Sequence, residues 1–415
     1  MLIEKYSFGT GDRFKKQGSA QLAAIQEINQ TAGIEVVPVW NKSFREHSIV
    51  KTNQQSVMDE AMNAVKKNGW KGNYYIDADH IGLSNVDGFI DYSNFFTIDV
   101  AHFIGQKADE KAKVEFLNRY SKFEGNLTIP GISDEFVITK DFLVQFADTY
   151  VKAIEEVKKI YDHIEAIKGK HNFVPEVSMD ETDEAQSPIE LFFILLELKH
   201  QGVEVQTIAP KFTGLFPKGV DYQGDVNGFA KEFEQDVAVT RFVAKKYGLP
   251  ENLKLSVHSG SDKFSIYPAM KKAIEKFDAG IHVKTAGTTW LEEIIGLAEA
   301  GDQGLEIAKQ VYEQSLGRYD ELTGPYATVL NIEKGELPSV SEVNAWSSKQ
   351  FVEALTHNQA CENYNPGFRQ LIHVGYKIAA EMGDTYKNAL ETYKEIIYEK
   401  VKHNLLERHM KLLFG

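Results

Sequence analysis

Histidine, aspartate, glutamate and lysine gather in this chain at one kind of place: the polar residues that close short runs of Val, Ile, Phe and Tyr. The run "KLSVHSGSDKF" stops at His258 and passes at once to Ser259, Ser261, Asp262 and Lys263. "NYYIDADH" ends in Asp77, Asp79 and His80, and "FFTIDVAHF" ends in Asp99 and His102. "FVPEVSMDE" carries Glu176, Ser178, Asp180 and Glu181, while "GIHVKTAG" delivers His282 and Lys284. "VEVQTIAPKF" adds Lys211, "YSFGTGDRF" adds Asp12 and Arg13, and "IEVVPVWNKS" adds Asn41 and Lys42, with Arg45, Glu46 and His47 just beyond. Ionisable groups are costly to bury unless they are paired or hold a metal. So many of them at strand ends predict a charged, polar active site.

Three histidines and one carboxylate on separate strands, His80, Glu176, His258 and His282, make a candidate site for a divalent cation. Imidazole and carboxylate ligands suit Zn, Mn, Ni or Co. Alternation along a strand puts His282 and Lys284 on one face, and Glu176, Ser178 and Asp180 on another, so Asp180 competes with Glu176 for the carboxylate position. His47, His102 and His373 are reserves. A lone histidine near a strand end is more often a hydrogen-bonded structural residue, and the chain has no HExxH or CxxC signature, so the constellation carries the inference. "HSGSD" contains serine, histidine and aspartate, but no GxSxG elbow accompanies it. "FGTGDRF" is neither GxGxxG nor a P-loop, and no phosphate cradle is visible; an unphosphorylated acid is the expected ligand. Arg45 and Lys42 are candidates to clamp its carboxylate, a task the planar guanidinium does well. Asp12, Arg13, Asn41, Ser259, Asp262 and Lys263 complete the expected substrate contacts.

The elements that would position these groups are legible. Eight β-like runs lie at 6–14, 34–43, 73–80, 95–103, 173–181, 203–212, 253–261 and 280–287, most of them separated by helical patterns. Ser187-Pro188-Ile189-Glu190 is a capping box with proline at the first helical position, and Thr289-Trp290-Leu291-Glu292 reads as a second. "NGFAKEFEQDVAVTRFVAKKYGLP" reads as a helix stopped by Gly248-Leu249-Pro250. Eight strands alternating with helices predict a (β/α)8 barrel of the α/β class, whose active site lies at the C-terminal strand ends. A doubly wound open sheet is the runner-up and would bind at the same ends. The barrel is expected over 1–301, with a helical insertion at about 104–170. A helical C-terminal extension is expected over 302–415; its last helix is long and amphipathic, fit either to cap the barrel or to meet a second copy in a homo-oligomer.

Composition narrows the function classes. With 415 residues, 43% of them hydrophobic, the chain can bury a large core. A net charge of −14 argues against a nucleic-acid surface. The single Cys361 fits a reducing compartment, no signal-peptide pattern opens the chain, and "IELFFILLEL" is about half a membrane span, so a cytoplasmic protein with no membrane partner is expected.

Long strings of the sequence resemble the tagaturonate/fructuronate epimerase family: "GTGDRF", "PVWNKSFREH", "DADHIGL", "EVSMDETDEAQSPIELFFIL", "VQTIAPKFTG", "KGVDYQGD", "LKLSVHSGSDKFSIYP", "GIHVKTAGTTWLEEIIGLAEAG" and "NPGFRQLIHVGYKIA". The resemblance runs from about Phe8 to Ala380. It implies a metal-dependent sugar-acid epimerase that inverts C4 of D-tagaturonate and D-fructuronate in hexuronate catabolism, with the metal on the four positions named above. Asp79 or Asp180 is then the candidate base, and Lys211 or Lys284 offsets developing charge or forms a Schiff base. A metal-dependent keto–aldose isomerase or aldolase, and a non-catalytic sugar-acid sensor, are the competing readings; the sensor lacks a visible partner domain.

Overall fold

The computed structural model describes residues 1–285 and 287–415. Eight parallel strands close into a barrel: β1 (Tyr6–Gly11), β2 (Val36–Ser43), β3 (Tyr75–Ile81), β4 (Phe95–Asp99), β5 (Val174–Ser178), β6 (Thr207–Ala209), β7 (Lys254–His258) and β8 (Ile281–Lys284). They pair in chain order, and β8 closes on β1, so the (β/α)8 reading holds and the open sheet does not. The strands are short and apolar on their outer faces because helices cover them all round. Gly9 of β1 stands opposite Lys284 of β8. A methyl group at Gly9 would stand 2.9 Å from Cγ of Lys284, so the glycine makes room for that long side chain to cross the barrel interior.

The outer helices follow their sequence signals with one exception. Ser187 and Glu190 form the expected capping box of helix Pro188–His200, and Gly248 ends helix Val226–Tyr247 in the left-handed region at φ 71°. The second expected box does not form. Its helix starts earlier, at Thr288, and Gly287 is its cap. Thr289 instead accepts from Gln21 on the first helix, and Glu292 accepts from Asn404 of the C-terminal segment. Between β4 and β5 the chain forms helix Glu110–Tyr120, a small antiparallel hairpin (Gly125–Leu127 with Phe136–Ile138) and the long helix Lys140–Lys168.

Residues 302–415 are helical and wrap the barrel's own outer helices and the mouth at the strand C-termini. The apolar stripe Ile397, Val401, Leu405, Leu406, Met410 and Leu413 is buried within this chain. The terminal amphipathic segment is therefore spent on the barrel wall, the first of its two expected uses. No helix among the described residues is long and apolar enough to cross a membrane.

Candidate active site

Lys284 is the floor of the site. Its Nζ lies 2.7 Å from Asp77 Oδ2, 3.0 Å from Asp79 Oδ1 and 2.9 Å from Glu176 Oε1, and it donates to Thr97 Oγ1 at 2.5 Å. All four groups are buried. Burial works against the ammonium, yet the three carboxylates hold its pKa well above the ordinary lysine value. Burial also raises Asp77, to about 7, against the pull of Lys284. Such a hub tolerates no loss: removing one partner of a buried ion pair leaves a charge uncompensated at about 3–5 kcal/mol.

Two of these carboxylates reach up to histidines. Glu176 Oε1 is 2.8 Å from His258 Nε2, and Asp79 Oδ1 is 2.9 Å from His80 Nδ1. Each contact fixes one ring nitrogen and leaves the other, His80 Nε2 and His258 Nδ1, buried without a hydrogen-bond partner. Both free nitrogens face Asp180, at 3.7 and 3.2 Å from its carboxylate oxygens, and the Ser178 hydroxyl donates to Asp180 from below. One ligand atom each from His80, Asp180 and His258 lies within 4.8 Å of the others, a group able to hold a metal ion. The carboxylates behind the imidazoles are the usual outer support of metal-binding histidines. Against the penalty of burial, Asp180 draws His258 up to about 9, and Asp79 with Asp180 draws His80 well above the normal imidazole value. Carboxylates that favour the charged form of both imidazoles mark a place where positive charge belongs.

The backbone at His80 departs from regular geometry to achieve this. The β3–β4 register slips between Ala78 and Ile81, and His80 sits at φ 56°, in the left-handed region that few side chains adopt. The bulge turns His80 toward His258, with ring centroids 5.3 Å apart.

Several expected site residues fall elsewhere. Glu176 lies one layer below the metal-capable group, and Asp180 takes the carboxylate position. His282 is deeper still: it bonds Ser7 Oγ through Nδ1 at 2.9 Å and packs on Phe95, and burial lowers its pKa to about 3. Asp12 accepts from the amides of Phe14, Lys15, Lys16 and Gln17 and is consumed in turning the chain into its first helix. Lys42 donates to the Arg13 carbonyl at 2.8 Å, and Lys263 donates to the carbonyls of Pro217 and Val220; Ser259 borders the cleft, but its hydroxyl is spent on the Lys284 carbonyl at 2.6 Å. Asp262 is buried among Arg369, His357, His409 and Thr288. Asn41 is buried beside Gly9 in the barrel interior, with neither amide atom paired. His47 bonds Thr52 at 2.9 Å.

The remainder converge on a two-lobed cleft above the barrel. One lobe, about 310 Å³, takes Asp180, His258 and Lys211; the other, about 370 Å³, takes Asp79, His80, Asp99, His102 and Arg13. Arg45, Lys218 and Tyr326 line both. Arg13 is buried on the ring of Tyr376, 4.2 Å from its centroid, with Glu46 at 3.1 Å from Nε and no hydrogen-bond partner for Nη1. The metal-capable group therefore sits between a carboxylate-rich floor and a wall carrying arginines. Tyr326 and Lys218 of this wall were not among the expected substrate contacts, and His373 was expected only as a reserve metal ligand.

A family model described as UxaE, tagaturonate epimerase, matches residues 1–413. A tagaturonate/fructuronate epimerase from Thermotoga maritima is 29% identical over 429 residues, covering 99% of this chain and 81% of its own length. The crystal structure of the fructuronate-tagaturonate epimerase UxaE from Cohnella laeviribosi with one glycerol superposes with a TM-score of 0.83 at 22% identity, over 100% of this chain and 82% of that one. Its native form superposes at 0.82 and 23% identity, over the same shares of the two chains. The match across all but the last two residues shows that the chain belongs to the tagaturonate epimerase family and is an isomerase.

Proposed function

We propose that the protein interconverts D-tagaturonate and D-fructuronate by inverting C4, with a divalent cation (Zn, Mn, Ni or Co) held by His80, Asp180 and His258, in the breakdown of hexuronates. The observation that supports this most is the pair of buried, unpartnered ring nitrogens turned onto Asp180, each fixed from behind by a carboxylate. A cation bound there would act as a Lewis acid on the ketone and hydroxyl oxygens of the substrate, a contribution of several kcal/mol.

The substrate dictates the route. The C2 ketone acidifies C3 but not C4, so removing the C4 hydrogen as a proton is hard. Cleavage of C3–C4 is easier: the C4 hydroxyl gives up its proton, the C3–C4 electron pair passes into a C1–C3 enediolate, and C4 becomes an aldehyde. The aldehyde turns over, C3 re-forms the bond on its other face, and the proton returns to the C4 oxygen. Against the penalty of burial, Lys284 and His80 hold Asp79, and His258 and His80 hold Asp180, far below the usual carboxylate range, so both are weak bases. Asp99 lines the same cleft, and burial raises its pKa, which suits it better to accept the C4 hydroxyl proton. Lys284 stays charged and supplies fixed positive potential; its raised pKa opposes a Schiff-base role. Arg13 and Arg45 are positioned to hold the substrate carboxylate.

The experiment is turnover of D-tagaturonate in D₂O, followed by NMR. Formation of D-fructuronate with no deuterium at C4 is expected. Deuterium at C4 would replace bond cleavage by direct deprotonation, and release of free three-carbon fragments would make the protein an aldolase.

A further inference from the structure

The C-terminal extension reaches the cleft at one buried, unsatisfied group. His373, on helix Pro366–Val374, is 3% exposed and lines the lobe that holds Arg13 and His80. Its Nε2 has no hydrogen-bond partner. Gly287 makes the room: a methyl group there would stand 2.1 Å from that nitrogen. Lys218 lies beside it. The Lys218 ammonium is 3.7 Å from where a side chain on Gly260 would begin, and the Gly287 amide donates to the Gly260 carbonyl at 3.0 Å. The same helix that carries His373 also holds Lys218 in place, because Gln370 Nε2 donates to the Lys218 carbonyl at 3.0 Å. Lys218 forms no ion pair among the described residues, although both lobes of the cleft touch it. Burial, and then the cations Arg13, Lys218, Arg369 and Lys263, keep the His373 imidazole neutral, so it holds one N–H to offer.

A buried ring nitrogen without a partner costs free energy, and a lysine over a buried cleft wall wants an anion. The opposite wall is rich in carboxylates and cannot supply a place for another. We infer that His373 and Lys218 form the inner wall of a subsite for the carboxylate end of the substrate, and that they make the site select an acid over the neutral ketohexose of the same stereochemistry. The assignment rests on the proposed uronate chemistry. It orients the molecule, with the acid end toward the C-terminal helices and the ketone end toward His80, Asp180 and His258.

The test compares D-tagaturonate with D-tagatose, which carries CH₂OH where the uronate carries its carboxylate and keeps the same ketone end. Calorimetry measures binding of both to the cation-loaded wild type and to H373F, H373Q and K218M. Wild type is expected to bind the uronate at least about tenfold more tightly. H373F and K218M each lower uronate affinity by about 10- to 100-fold and leave D-tagatose within about twofold, and H373Q recovers most of the loss. Equal weakening of both sugars, or an undiminished preference for the uronate in H373F and K218M, overturns the subsite. If H373F does not fold, K218M still decides between these outcomes, since Lys218 is only half-buried. Binding is read without turnover: a wild type that prefers the uronate but never converts it would sink the proposed reaction and leave the subsite standing.

Discussion

Two clusters of histidine and carboxylate lie behind the barrel mouth, and they differ in what is left over. Asp262 is enclosed: Arg369 Nη2 donates at 2.7 Å, His409 Nε2 lies at 3.0 Å, His357 Nδ1 at 3.2 Å, and Thr288 donates at 3.3 Å. Tyr267 in turn meets His409 Nδ1 at 2.7 Å, so that ring is satisfied on both sides. The His80–Asp180–His258 group also combines histidine with carboxylate but keeps two ring nitrogens without a hydrogen bond beside a cavity. The first is a rivet that ties the loop after β7 to the C-terminal helices. The second is a group able to hold a metal ion. Residue type does not separate them; unused bonding capacity facing open space does.

The sharpest way to break this comparison is to remove one ligand candidate. D180A or H258A is expected to lower turnover by about 10³-fold or more and to abolish stoichiometric cation binding. Elemental analysis beside a turnover assay checks both halves, and a variant that keeps its cation contradicts the assignment.

The rivet should respond in the opposite way. D262N leaves Arg369 buried without its partner and is expected to cost about 3–5 kcal/mol of stability, read by denaturant titration, with cation stoichiometry unchanged. Its pH dependence has a definite sign. Against the penalty of burial, Arg369, His357 and His409 hold the Asp262 carboxyl well below the usual carboxylate range. A carboxylate depressed on folding stabilises above its unfolded value of about 4 and loses that contribution as the pH falls below it. The Tm gap between wild type and D262N should therefore narrow from pH 7 toward pH 3; a gap that widens would refute the ion-pair account.

The smallest effect on the cation belongs to the supports, which also sit in the Lys284 hub and lose stability there. E176Q and D79N keep their shape but weaken the grip on the imidazoles, and each is expected to lower cation affinity by about 10- to 100-fold in a competition titration with a chelator. No change would mean that His258 and His80 are oriented by packing alone.

Much of this was legible in the sequence, because strand ends are local features. The eight runs, the closed barrel and the histidines at 80 and 258 follow from alternation and from the polar residues that stop each run. Depth was not legible. Glu176 and Asp180 share a face, but β5 ends at Ser178, so Glu176 stays inside the barrel while Asp180 reaches the mouth. His282 suffers the same fate: Lys284, not His282, pairs in register with His258, so His282 falls one layer down. Asp262 and Lys263 looked like substrate contacts because their partners are remote in sequence. Arg369, His357 and His409 come from the C-terminal helices, and the carbonyls that bind Lys263 belong to the loop after β6. The capping box at Thr289 failed for a related reason, since Gln21 and Asn404 claim its two polar groups.

The most direct test of the central claim strips the protein with chelator and follows D-tagaturonate by NMR, with and without Zn²⁺, Mn²⁺, Ni²⁺ or Co²⁺, on wild type and D180A. Stripped wild type is expected to convert nothing and to recover D-fructuronate formation with one equivalent of a suitable cation, while D180A recovers none. Full conversion by stripped wild type, or equal recovery in D180A, would contradict a cation held by His80, Asp180 and His258.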